Sequence, residues 1–144
     1  MTVRHIRPGD RTEGTPATAG MTREQAIVTE GMWSGFVRTD AGMTSGWHHH
    51  GDYDTSIYVA SGALRMEFGP GGSDTIDAVP GDFLHVPKGA IHREGNPSAE
   101  AADLIVTRAG TGPPVEVSTT VNDRPQKLIP DFSTTLLYTP RKPQ

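Results

Sequence analysis

The segment Gly46-Trp47-His48-His49-His50 sets three imidazoles in a row. Side chains alternate faces along an extended strand, so His48 and His50 share one face and His49 points the other way. Two imidazoles on one face are half of a metal site. A second segment runs from Gly81 through Pro87, Gly89 and His92 to Asn96 and brings a further histidine behind turn residues. The chain has no cysteine, so thiolate ligands and disulfides are excluded and the metal chemistry falls to nitrogen and oxygen. Imidazole suits zinc, iron, nickel and copper. Such an ion, with open coordination positions, lowers the pKa of a bound water or polarises a carbonyl.

These residues need a scaffold of strands. The chain has 144 residues, enough for one domain, and a domain of about 150 residues buries roughly 68–70% of its unfolded surface. Gly 17 and Pro 12 predict many turns between short strands. Strands are expected at Gln25–Thr29, Met32–Arg38, Trp47–His50, Ser56–Val59, Ala63–Phe68, Thr75–Val79, Asp82–Val86, Ile91–Glu94 and Asp103–Thr107. Ser61-Gly62 and Pro87–Ala90 read as hairpin turns, and a single helical turn is expected near Thr22–Ala26. Short strands with turns at this spacing predict an all-β sandwich or barrel. The division expected is an irregular arm over residues 1–20, a β domain over 21–112 and a proline-rich extension over 113–144. That extension holds Pro113, Pro114, Pro125, Pro130 and Pro140, yet also Leu128, Ile129, Phe132, Leu136, Leu137 and Tyr138, apolar enough to pack on the barrel or on a partner subunit.

The second segment has the form Gly-x5-Pro-x-Gly-x2-His-x3-Asn and resembles the second motif of the cupin superfamily at every fixed position. A match by composition alone is expected on the order of once in ten thousand chains. His48, His50 and Gly62 resemble the first cupin motif. The glutamate of that motif, counted back from Gly62, falls on Thr55, a departure. The resemblance covers about residues 25–108. It implies a jelly-roll β-barrel of six to eight strands with a metal inside, bound by His48, His50 and His92.

The missing glutamate leaves a place for another ligand. With a tight turn at Pro87–Ala90, His85 would oppose His92 on antiparallel strands and share its face. The ligand set expected is therefore His48, His50, His85 and His92, with His48, His50 and His92 acting catalytically through the metal. The bland alternatives are loop histidines at 48 and 50, and a hydrogen-bonded core histidine at 85. His49 reads as a hydrogen-bonding residue of the outer face and His5 as no ligand. Asp52 and Asp54 lie in a turn, where aspartate commonly bonds its own backbone, with a general-base role as the sharper alternative.

Small cupins with a WHHHG-type first motif and a site free of carboxylate ligands resemble the zinc-containing aromatic polyketide cyclases of bacterial pigment pathways, the resistomycin-pathway type. That resemblance implies aldol-type cyclisation and aromatisation of a poly-β-keto chain, with zinc as the expected metal and iron, nickel or manganese as alternatives. The alternative functions are a metal-dependent cupin dioxygenase acting on a diketone and a non-catalytic ligand-binding cupin. The substrate expected is a small hydrophobic molecule, free or tethered to a carrier protein, and the resemblance implies a homodimer. Net charge -4 and a pI of about 5.8 offer no attraction for nucleic acid or an anionic membrane. No apolar run approaches the roughly 18–20 residues of a membrane span, and Met1–Arg7 has no apolar signal region. A cytoplasmic protein is the expectation.

Overall fold

A computed structural model of the chain describes residues 1–14, 18–111 and 117–121. Among the described residues eleven strands run in chain order: β1 Thr12–Glu13, β2 Met21–Thr29, β3 Met32–Thr39, β4 His48–His49, β5 Asp54–Ser61, β6 Leu64–Phe68, β7 Asp74–Ala78, β8 Phe83–Val86, β9 His92–Gly95, β10 Ala102–Ala109 and β11 Val117–Ser118. They form two antiparallel sheets. One has the order β1-β2-β3-β10-β5-β8, the other β11-β4-β9-β6-β7. Sequence neighbours such as β5 and β6 fall in different sheets, which makes this all-β architecture a jelly-roll sandwich rather than a meander. Among the described residues no helix is long and apolar enough to cross a membrane.

Each expected strand exists, but three local expectations fail. Thr22–Ala26 is not a helical turn. It lies within β2, whose Thr22, Glu24 and Gln25 pair with Arg38, Phe36 and Gly35 of β3, and a register shift between Gln25 and Ile27 absorbs one extra residue. Ser61-Gly62 is not a hairpin. Gly62 has a φ of 82°, and a Cβ there would stand 2.6 Å from the Cα of Ala102. The chain needs glycine at this point because it passes tightly against β10 while crossing from one sheet to the other. Pro87–Ala90 does turn, with the Ala90 N–H donating to the Pro87 carbonyl at 3.1 Å. The turn leads from β8 in the first sheet to β9 in the second, so it joins two sheets and not two paired strands. In the arm, Pro8–Asp10 form a 3-10 turn and β1 pairs with Gln25 and Glu24 of β2. The prolines at 113, 114, 125, 130 and 140 and the apolar residues between 128 and 138 lie outside the described residues.

The two sheets enclose a core that changes character along its length. On β5 and β10 the inward phase is Thr55, Ile57 and Val59, and Ala102, Leu104, Val106 and Arg108, all buried. In register, Val106 faces Ile57 and Arg108 faces Thr55. The apolar stretch, with Leu64 and Met66 from β6, stabilises the sandwich by about 1.5–3 kcal/mol per large side chain buried. Beyond it the inward phase turns polar at Thr55 and Arg108. Polar side chains left inside an apolar barrel are costly unless paired, so this end of the core is where a site has to be sought.

Candidate metal centre

β4 and β9 are neighbours in the second sheet, and His48 pairs directly with His92. His50 follows β4 by one residue and keeps the face of His48. The ring centroids of His48 and His92 lie 4.3 Å apart, those of His50 and His92 4.8 Å and those of His48 and His50 5.3 Å. One nitrogen from each ring falls within 4.8 Å of the other two. All three residues are buried.

The opposite nitrogen of each ring is tied to the protein. His48 Nδ1–H donates to the Gly46 carbonyl at 2.9 Å, and His92 Nδ1–H donates to the Ala90 carbonyl at 2.9 Å. A carbonyl can only accept, so both rings carry their proton on Nδ1 and present a bare lone pair at Nε2. His50 Nδ1 shares a hydrogen bond with the Thr55 hydroxyl at 2.8 Å, and a hydroxyl serves in either sense. The three Nε2 atoms are buried without a hydrogen-bond partner. One orphaned buried polar atom costs about 1–3 kcal/mol, so three turned toward one point need a common partner. Burial holds the proton affinity of His50 well below the usual imidazole range, helped by His92, Arg108 and His48. Burial does the same for His92, helped by His48. Neutral imidazoles with oriented Nδ1 groups are the form that binds a metal ion. The residues present therefore fit a divalent metal held by His48, His50 and His92.

His85 does not join them. β8 pairs with β5 in the first sheet, where His85 faces Ser56, so it has no cross-strand relation to His92. Its phase points outward, and the side chain is 68% exposed. Its Nε2 lies 3.0 Å from Asp54 Oδ1 on the outer surface. The expected fourth ligand is thus a surface residue in hydrogen-bond contact with Asp54, because the turn before β9 changes sheets. His85→Ala is expected to leave the metal content of the purified chain unchanged. A variant that loses its metal by elemental analysis would restore His85 to the site.

His49 points away from the other three, as its strand phase requires. It is nevertheless buried, and its Nδ1 accepts the Gly51 N–H at 3.1 Å, so the expectation of an outer-face position does not hold. His5 is exposed. Asp52 is exposed, and Asp54 makes the surface contact with His85.

Glu94 was missed from sequence. It lies two residues beyond His92 on β9 and so shares its inward face. It is buried, and its Oε2 is 3.8 Å from His48 Nε2, too long for a hydrogen bond but inside the same polar cluster. The signal was available in the period of two. A cavity of about 10 Å³, the room of roughly one water molecule, lies beside the triad with His50 in its lining. Thr55, Glu94, Arg23 and Arg108 supply its polar lining and Met21, Val37, Ile57, Leu104 and Val106 its apolar wall.

The architecture is shared with solved structures. KdgF from Halomonas sp. is 19% identical, with a TM-score of 0.62 over 75% of this chain and 94% of that one. The polyketide cyclase RemF from Streptomyces resistomycificus is 15% identical, with a TM-score of 0.68 over 85% and 89%. A sugar phosphate isomerase of the cupin superfamily from Silicibacter pomeroyi is 22% identical, with a TM-score of 0.58 over 70% of each chain. At these identities the likeness is one of fold. No curated protein matches the sequence. The model of the cupin domain family matches residues 35–108, half of the chain and the stretch that carries His48, His50, His92, Glu94 and Arg108, and the chain belongs to that family.

Proposed function

We propose that the protein is a metal-dependent enzyme that closes rings in a poly-β-keto chain by aldol-type condensation and aromatisation. The observation that carries this reading is the set of three buried, partnerless Nε2 atoms of His48, His50 and His92. Zinc is the proposed metal, because aldol chemistry needs no electron transfer. The similarity in fold to a structure named as a polyketide cyclase supports the choice of substrate class.

A metal bound at the triad would act as a Lewis acid on a carbonyl oxygen, which acidifies the methylene between two carbonyls. The remaining work falls to the chain itself. Glu94 is the buried carboxylate beside the triad; it takes one methylene proton and gives it to the aldol oxygen as the carbon–carbon bond forms, then takes the second proton of the same carbon and passes it to that oxygen, which leaves as water as the double bond forms. Thr55 holds the His50 ring in place. The apolar side chains of Met21, Val37, Ile57, Leu104 and Val106 keep water away from this side of the triad.

The test uses the full chain loaded with zinc and a short synthetic poly-β-keto chain, offered as free acid and as thioester, under argon. Ring formation read by absorbance is expected to proceed without dioxygen. Glu94→Gln is expected to slow it by about 100-fold or more while the zinc content stays the same, whereas Asp52→Asn and Asp54→Asn change it by less than about threefold, as surface positions do. A second reading, a cupin dioxygenase acting on a diketone, is favoured by the same three-nitrogen donor set, which suits iron or nickel as well as zinc. Turnover that requires dioxygen and a redox-active metal would replace the cyclase reading with that one.

A further inference from the structure

The three triad rings are anchored in two different ways. His48 donates from Nδ1 to the carbonyl of Gly46 and His92 to that of Ala90, in each case two residues back along the chain. A carbonyl cannot donate, so the backbone sets these two tautomers. His50 is tied instead to a side chain, the Thr55 hydroxyl at 2.8 Å. Thr55 lies on β5 of the first sheet, whereas His48 and His92 lie on β4 and β9 of the second. The bond therefore reaches across the sandwich. Both ends are buried, Thr55 being 1% exposed and His50 2%. A hydroxyl can accept from Nδ1–H or donate to a bare Nδ1, and the two senses put the imidazole proton on opposite nitrogens. The first alone leaves Nε2 with a lone pair for a metal ion.

We infer that Thr55 is a positioning residue for the metal: its hydroxyl accepts from His50 Nδ1–H, selects the tautomer that bares Nε2, and so sets the metal affinity of the centre. The inference rests on the reading of His48, His50 and His92 as a metal centre and deepens it by a residue that acts only through His50. The Nε2 atom of His50 is buried without a hydrogen-bond partner, as are those of His48 and His92. The rings are thus not placed to bond one another. A proton on His50 Nε2 would be a buried donor left unmet, a cost that Nδ1–H avoids by meeting Thr55. Threonine also holds its hydroxyl more firmly than serine, because β-branching restricts χ1. On the flanking strands Thr55 stands between Arg108 and Val86. Without the hydroxyl, Nδ1–H would face an apolar side chain. The proton would then move to Nε2, the tautomer that neutral histidine prefers in water, and would stand where the metal has to bind.

The experiment records proton–nitrogen correlation spectra of the histidine side chains in the metal-free full chain at about pH 8, where imidazoles are neutral, with His50 assigned through His50→Gln. Zinc is then titrated in. In the parent, His50 is expected to carry its proton on Nδ1, as His48 and His92 do. Thr55→Val keeps the shape and removes the hydroxyl. It is expected to move the His50 proton to Nε2, to leave the other two rings as they were, and to weaken zinc binding by about 10–100-fold, the usual cost of losing a group that orients a ligand. Thr55→Ser keeps the acceptor. It is expected to return the parent tautomer and a zinc affinity within about fivefold of the parent, the remainder reflecting its freer rotation. A role in packing alone would give the opposite order, with serine, which lacks a methyl group, further from the parent than valine. That order, or a valine variant with its His50 proton still on Nδ1, overturns the inference. Should the valine variant fail to fold by circular dichroism, the parent decides, since a metal-free parent with the His50 proton on Nε2 overturns the inference and one with the proton on Nδ1 supports it. A chain that takes up no zinc sinks the metal-centre reading, whereas the His50 tautomer of the metal-free parent and variants still decides the role of Thr55.

Discussion

Alanine at His48, His50 or His92 is expected to weaken zinc binding by more than about 100-fold, since loss of a group that merely orients a ligand already costs 10–100-fold. The effect on the metal-free fold should be far smaller. Each ring now leaves one buried Nε2 without a partner, a cost of about 1–3 kcal/mol, and its removal offsets part of the cavity that alanine creates. The two effects separate in melting experiments. At a zinc concentration about 100 times its dissociation constant, the parent gains about 2.7 kcal/mol from the metal. A variant weakened 100-fold gains about 0.4 kcal/mol at the same concentration. With a chelator present, parent and variants should melt within a few degrees of one another. Three variants that keep one zinc per chain by elemental analysis would remove the metal centre from the account.

The triad was legible in sequence because it depends on two local facts, the period of two along a strand and turn residues spaced to bring His92 to the start of β9. The all-β class followed from turn residues at short intervals, and every expected strand was found. The fate of His85 was not legible, because Pro87, Gly89 and Ala90 announce a turn without saying to which sheet the chain returns. That depends on β5 already holding β8 at Ser56 and His85 while β9 is taken by β4 and β6. The same limit explains Ser61-Gly62, where a turn signal marks a crossing between sheets. Glu94 and Arg108 were hidden differently. Each is a charged residue in the inward phase of its strand, two residues after His92 and after Val106, and a reading that sorts charged side chains to the surface passes over them. Charge in the apolar phase of a strand marks a site more sharply than any single histidine does.

The metal-free protein is expected to lose stability steeply as pH falls below about 6.5, the value from which the pKa of His50 and of His92 is lowered in the fold. Burial is the first cause in both cases, followed by a neighbouring histidine of the triad. The sign follows from proton uptake. Above pH 6.5 both rings are neutral in the folded and the unfolded chain, and their contribution is complete. Below it the unfolded chain binds protons that the folded chain refuses, so the equilibrium moves toward unfolding until pH reaches the lowered native values. Both rings lower stability progressively across this window, and they act in the same direction. Asp103, held below its usual carboxylate range mainly by its hydrogen bond to Arg38, loses its contribution only in the more acidic window under about 3.8, the ordinary value of the group. The histidine phase should therefore stand apart in urea titrations run in the presence of a chelator. It should be largely absent from the His50→Gln/His92→Gln double variant. With zinc in excess the parent should stay folded to lower pH than it does without, because a proton must then compete with the metal for the same nitrogen lone pairs. A metal-free parent whose stability is flat between pH 6.5 and 5.5 would mean that the imidazoles accept protons in the folded barrel, and that their Nε2 lone pairs are not held ready for a metal.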